Sequence, residues 1–161
     1  MARATASLLS SLVLAACGAS TPAPMTSEDA AAAIDAVLDD WHDAAAEADE
    51  DRYFAHFAPD GVFLGTDATE RWDVEAFRAY AHPHFARGRA WTMRATRRDV
   101  VVRGHVAWFD EDLEAVNLGP ARGSGVLVKG DDGRWRIAHY NLAITVPNER
   151  FAEVKALLGG Q

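Results

Sequence analysis

Residues 134–147, Arg-Trp-Arg-Ile-Ala-His-Tyr-Asn-Leu-Ala-Ile-Thr-Val-Pro, constrain the fold more than any other stretch. They follow a turn signal, Lys-Gly-Asp-Asp-Gly at 129–133, and end at a proline that cannot continue a sheet ladder. Aromatic and β-branched residues dominate, so the stretch reads as a strand of about ten residues or more. Strands of that length belong to the middle of a curved sheet. Side chains alternate along a strand, which puts Trp135, Ile137, His139, Asn141 and Ala143 on one face. That face is apolar at one end and polar at the other.

The sheet grows from neighbouring stretches. Residues 91–102 form a strand, Arg103 and Gly104 a tight turn, and residues 105–113 the returning strand. Asn117, Leu118, Gly119 and Pro120 form a loop before a strand at 121–129. Folding each hairpin symmetrically about its turn gives a register. Val101, Val106, Val128 and Trp135 make one row, and Asp99, Trp108, Val126 and Ile137 the next. Arg97, Asp110, Ser124 and His139 follow, then Ala95, Asp112, Arg122 and Asn141. The opposite face carries Arg98, Glu111, Lys129, Arg134 and Arg136, with Ala107, Gly123 and Gly125 between them. The expectation is therefore that helices cover the first face. A one-residue slip would exchange the two.

Helices precede the sheet. Thr26, Ser27, Glu28 and Asp29 have the pattern of a capping box, and Ile34, Val37, Leu38, Trp41 and Ala45 recur at helical spacing. This predicts an amphipathic helix over 27–48, with Asp35, Asp39, Asp40 and Asp43 on its wet side. A short helix is expected over 51–57, a strand over 62–64, and a third helix from an Asp73 cap to about His82, where Pro83 should kink or end it.

The first residues are set apart. Arg3 is followed by a short apolar run, residues 8–16, and then by Cys17. Leu14, Ala15, Ala16 and Cys17 resemble the lipobox of bacterial lipoproteins. The expectation is a signal peptide at 1–16, a lipidated Cys17, a flexible tether through Pro22 and Pro24 to residue 26, and one domain over 27–161. The protein would then be exported and lipid-anchored to a bacterial membrane. Gly18, in place of the aspartate that retains such proteins in the inner membrane, points to the outer membrane, facing the periplasm. Cys17 is the only cysteine, so no disulfide or thiol nucleophile is available to the domain. The 24 acidic against 16 basic residues argue against nucleic acid as a partner.

Several stretches carry a family resemblance. They are 57–72 (Phe-Ala-Pro-Asp-Gly-Val-Phe-Leu-Gly-Thr-Asp-Ala-Thr-Glu-Arg-Trp), 107–111 (Ala-Trp-Phe-Asp-Glu), 122–127 (Arg-Gly-Ser-Gly-Val-Leu), 135–142 (Trp-Arg-Ile-Ala-His-Tyr-Asn-Leu) and 146–149 (Val-Pro-Asn-Glu). With three helices before a curved meander, the chain resembles the nuclear transport factor 2-like superfamily in its SnoaL-like branch. The resemblance implies an α+β cone, N-terminal helices packed on a strongly curved, mostly antiparallel sheet, with a pocket for a small, partly apolar molecule. It also implies a homodimer packed through the outer sheet face, which the flat patch of Ala107, Gly123 and Gly125 would suit. The superfamily includes steroid isomerases, cyclases, dehydratases and non-catalytic binding proteins. In the isomerases a carboxylate just after the first strand is the base. Here Gly65 falls at that place and Asp67 lies two residues later.

The candidate site follows from the register. Asp110 and His139, with Ser124 between them, would be about 9–10 Å apart and would flank a substrate or water. Histidine titrates near neutral pH, so such a pair suits acid–base work. Arg97 and Arg122 would hold an anionic group or neutralise Asp110 and Asp112. The competing account is a structural salt-bridge network at the wet end of the sheet. Trp41, Tyr53, Phe63, Trp72, Trp91 and Trp108 would line a hydrophobic pocket, with Asp67 and Asn141 at its polar margin, or simply form core. Asp67, Glu70, Arg71 and Trp72 would form its lip. His82 and His84 lack partners at a metal-ligand spacing, so neither metal nor cofactor is expected, and His42, His56 and His105 receive no role. Two functions stay open: a membrane-tethered binding protein, and a cofactor-free isomerase, dehydratase or cyclase using His139 and Asp110.

Overall fold

The computed structural model describes residues 26–159. The expected signal peptide, Cys17 and nearly all of the expected tether lie outside them. Among the described residues no helix is long and apolar enough to cross a membrane.

Helix α1 (Ser27–Ala46) is capped by Thr26, whose hydroxyl accepts from the Asp29 N–H while Asp29 reaches back to the cap. Its apolar stripe, Ile34, Leu38, Trp41 and Ala45, is almost wholly buried. Burying each large side chain in such a stripe stabilises the fold by about 1.5–3 kcal/mol. After α2 (Glu50–Ala55) come β1 (Phe57–Leu64), β2 (Arg71–Asp73) and α3 (Val74–Phe85). Pro83 lies inside α3 and does not end it. It removes one backbone donor, but Phe85 beyond it is buried against Tyr53 and Trp91, and that packing carries the helix on. The antiparallel meander is β3 (Met93–Arg103), β4 (Val106–Ala115), β5 (Gly119–Lys129) and β6 (Trp135–Ile144). Gly104, at φ 61°, makes the first hairpin turn with a backbone that side-chain-bearing residues rarely adopt. A short helix, α4 (Phe151–Leu157), follows.

The sheet has six strands in the order β2-β1-β6-β5-β4-β3. This is the expected α+β architecture, with two additions. β1 runs parallel to β6, and residues 71–73, read from sequence as a loop, are an antiparallel partner of β1. Two strands are too few to reveal such pairing from periodicity, because partners distant in sequence leave no local signal.

The register departs from the hairpin-symmetric one along two ladders. β3 is displaced by two residues against β4, so that Val101 lies opposite Trp108 and Asp99 opposite Asp110. At the turn, β6 is displaced by one against β5, and Trp135 lies opposite Lys129. β3 bulges between Ala95 and Arg97, and the β5–β6 ladder shifts at Val126 and Leu127, where Ala138 is skipped. Each bulge reverses the parity of its strand. His139 therefore lies opposite Val126, and Asn141, not His139, lies opposite Ser124.

The helices cover the expected face only at the start of β6, where Trp135 and Ile137 are buried; beyond the bulge, and across β4 and β5, they cover the opposite one. Ala107, Phe109, Glu111, Leu113, Gly123, Gly125, Leu127, Tyr140 and Leu142 are buried, whereas Trp108 is 45% exposed. The patch of Ala107, Gly123 and Gly125 is thus core, not a dimer surface. A Cβ on Gly125 would meet the His139 carbonyl oxygen and the Phe109 ring, and one on Gly123 would meet the Tyr140 hydroxyl. The expectation failed because charge was counted without pairing. Arg98 and Glu111 made that face look wet, yet they neutralise each other beneath α1.

Candidate active site

A cavity of about 250 Å³ opens between the helices and the concave sheet face. Its inner end is marked by buried Trp41, His42, Tyr53, Phe77 and Tyr140, and its mouth by exposed Thr66, Tyr80 and Asn117. Several wall rings are nearly parallel: Phe63 on Phe77 (17°), Trp72 on Phe77 (10°), Trp91 on Phe77 (20°) and Trp72 on Tyr80 (25°). Such faces suit a flat apolar molecule.

Glu111 lies behind the inner end and is 0% exposed. One carboxylate oxygen accepts from the Tyr140 hydroxyl at 3.1 Å and contacts His42 Nε2 at 2.9 Å. A carboxylate only accepts, so Nε2 carries hydrogen in this contact and Nδ1 is the nitrogen left for other work. The second oxygen accepts from Arg98 Nε at 2.9 Å. Arg98 Nη2 lies 2.8 Å from that oxygen, an ion-pair approach whose angle makes no hydrogen bond. Arg98 Nη1 donates to Asp39 at 2.9 Å and to the main-chain and side-chain oxygens of Asp35 at 3.2 and 3.3 Å. The guanidinium therefore pins α1 to the sheet.

Burial pushes the Glu111 carboxyl up, but the hydrogen bond and charge of His42 and the charge of Arg98 outweigh it and hold the group below its ordinary value. Burial raises the Tyr140 phenol well above its usual range, and the Glu111 charge adds to this. Tyr53 is raised by burial alone, against the neighbouring indoles of Trp91 and Trp41. Both phenols stay neutral and remain donors. The Tyr53 hydroxyl and Trp41 Nε1 are buried without a hydrogen-bond partner at good geometry.

Trp41, Tyr53, Phe63, Trp72 and Trp91 line this cavity. Asp67 does not. Its carboxylate accepts from the Thr69 N–H and hydroxyl at 2.8 and 2.6 Å, which holds it below its ordinary value. His139, Asp110, Trp108, Arg97, Arg122, Ser124 and Asn141 lie on the outer sheet face, away from the helices, because the sheet is covered from the other side. His139 is level with Trp108 rather than Asp110. There Arg97 binds Asp110 and Asp112, each at 3.0 Å, and pairs with Asp99. Arg122 approaches Asp112 at 3.5 Å. These groups neutralise one another in a surface network. His139 and Asp110 therefore do not share the cavity.

The sequence held signals for the residues it did not single out. His42 falls four residues after buried Leu38, on the apolar stripe of α1. Glu111 interrupts an alternating run of Ala107, Phe109, Leu113 and Ala115. An acid on one element and a histidine on another, each at an apolar position, call for each other. Gly65 has its own explanation, since a Cβ there would collide with the Glu70 carboxylate. Glu70 supplies the carboxylate beside that strand end and lines the cavity. Among the described residues no set of His, Cys, Asp or Glu is arranged to hold a metal ion.

The helices on a curved sheet, with a cavity between them, define an NTF2-like cone. The profile of the SnoaL-like domain matches residues 34–147, and the chain belongs to that family. A protein of unknown function from Mycobacterium tuberculosis is similar in structure at 23% identity and TM-score 0.65, over 85% of this chain and 91% of that one. An NTF2-like protein of unknown function from Pseudomonas putida has 17% identity and TM-score 0.65, over 76% and 92%. A candidate ketosteroid isomerase from Shewanella frigidimarina has 19% identity and TM-score 0.56, over 68% and 94%. No curated protein matches the sequence.

Proposed function

We propose that this domain binds a small, flat, largely apolar molecule in the aromatic cavity, one end toward His42 and the other at the mouth. The observation that carries this reading is the nearly parallel wall of Phe63, Trp72, Phe77 and Trp91 ending at the bonded set of His42, Tyr140 and Glu111. The neutral fluorophore N-phenyl-1-naphthylamine provides the test. Its emission should rise on binding, and Trp72→Ala should weaken binding about tenfold or more through lost apolar contact. Unchanged affinity in that variant, with the fold intact, overturns the reading.

A second reading is favoured by the 2.9 Å contact between His42 and Glu111 at the cavity wall. In it the protein is a cofactor-free isomerase, dehydratase or cyclase. His42 carries the proton through Nδ1 and Glu111 orients the ring. His42→Ala would then lower turnover about 10²–10⁴-fold while binding changes far less. Binding without turnover on compounds that occupy the cavity decides for the first reading.

The domain is further proposed to be membrane-tethered through Cys17 and to face the periplasm, on the lipobox-like sequence at 14–17. Cys17→Ser should abolish a lipid-bearing mass and detergent partitioning. Pairing of two copies through the outer sheet face is proposed on exposed Val106 and Trp108, at 42% and 45%. Trp108→Glu should lower the sedimentation coefficient to that of a monomer.

A further inference from the structure

The cavity lining contains no arginine or lysine. Besides its tyrosines, its ionisable members are Glu70, His42 and His84. Glu70 accepts from the Asp67 N–H at 3.1 Å, and no Arg, Lys or His among the described residues pairs with it. Behind the inner end the balance has the same sign. The single guanidinium of Arg98 serves Glu111, Asp35 and Asp39 together. A cleft on the far side of His42 adds Asp43, with Arg94 there already paired to Glu114. The whole chain has a formal charge of −8.

An anion entering this space would meet the Glu70 carboxylate with no arginine or lysine in the lining to receive it; the guanidinium of Arg87 lies outside the lining, bonded to His84 Nδ1 at 3.1 Å. A neutral molecule would gain apolar contact and the polar groups at the inner end, the Tyr53 hydroxyl and Trp41 Nε1, but nothing from Glu70 as a charge. A cation would gain the carboxylate and also the negative π faces of Trp72 and Tyr80, which line the same cavity and stack on each other at 4.5 Å. We propose, resting on the reading that the cavity binds a flat small molecule, that its ligand is an organic cation. The chemistry that fits is a protonated amine or quaternary ammonium on an apolar, ring-bearing body. The head would sit against Glu70, Trp72 and Tyr80, and the body along Phe63, Phe77 and Trp91.

The test uses the full chain carrying Cys17→Ser, so that no detergent competes for the cavity. Benzyltrimethylammonium, its neutral isostere neopentylbenzene and the anion phenylacetate compete against bound N-phenyl-1-naphthylamine. The cation should displace the reporter about tenfold better than the neutral isostere, the scale of a desolvated cation–π and carboxylate contact. Phenylacetate should be the weakest. Glu70→Gln should reduce the preference for the cation to about twofold, while Glu114→Gln, outside the lining, should keep it. Reporter binding with equal displacement by cation and isostere, or a better result for phenylacetate, overturns the charge inference and leaves the cavity reading standing. A cation preference unchanged by Glu70→Gln overturns the placement of the head. Absence of both reporter binding and any tryptophan response to the cation overturns the two together.

Discussion

Asp110, Glu111 and Asp112 are consecutive acids on one strand, and they live in different solvents. Glu111 faces the helices at 0% side-chain exposure, while Asp110 and Asp112 face outward at 47% and 41%. All three touch an arginine. Outside, Arg97 gathers Asp99, Asp110 and Asp112 into a network that water screens, and such contacts contribute little to stability. Inside, Glu111 is held by Arg98, His42 and Tyr140 with no water to replace a lost partner. The same ion-pair chemistry is decoration on one face and architecture on the other. Only the inner set also borders a cavity, through His42 and Tyr140.

The largest break in this comparison is Glu111→Ala. It strands Arg98 in a buried site and should cost about 3–5 kcal/mol in urea unfolding, whereas Asp110→Ala should leave the midpoint near that of the wild type. Equal effects would end the distinction between the faces. Gly125→Arg comes next. The new Cβ meets the His139 carbonyl and the Phe109 ring, so a loss of at least about 1–3 kcal/mol is expected. Ser124→Arg, one residue away on the outer face, should be tolerated. Tyr140→Phe keeps the ring and deletes one donor to Glu111, for about 1.5–3 kcal/mol. It would sharpen the share of the set that is hydrogen bonding rather than charge.

Acid provides a smaller, graded test. The folded Glu111 carboxyl lies below its ordinary value of 4.5, so its stabilisation is present above that pH and is lost as pH falls through the lower folded value. Wild-type stability should therefore fall more steeply below pH 4.5 than that of Glu111→Gln, followed by the urea midpoint at each pH. The smallest expected effect is on the ligand side. His42→Ala should alter N-phenyl-1-naphthylamine affinity measurably, and His139→Ala should leave it unchanged. A response to His139 would return the site to the outer face.

Much of the architecture was legible in the chain. The Thr26–Asp29 box, the stripe of Ile34, Leu38 and Trp41, and the turn at Gly104 each act within a few residues, so their signals survive in sequence. The aromatic residues of the cavity were legible too, as large apolar groups at element-forming positions. Pro83 shows where a local rule yields, because the burial of Phe85 is a tertiary term that the helix-breaking preference does not contain.

By itself, the sequence determined the first three helices and the four strands of the meander, and that an acidic chain would build an α+β cone around an aromatic core; it did not show β2 or α4. Side-chain alternation sorted residues into two sets without saying which set faces in. The tertiary structure decided that. Bulges at Thr96 and Ala138 reset the parity of β3 and β6, and α1 brought Asp35, Asp39 and His42 onto Arg98 and Glu111. A charge on a strand predicts solvent only while it stands alone. Glu111 meets Arg98 from 13 residues away, Tyr140 from 29 and His42 from 69, and only their meeting made its burial affordable.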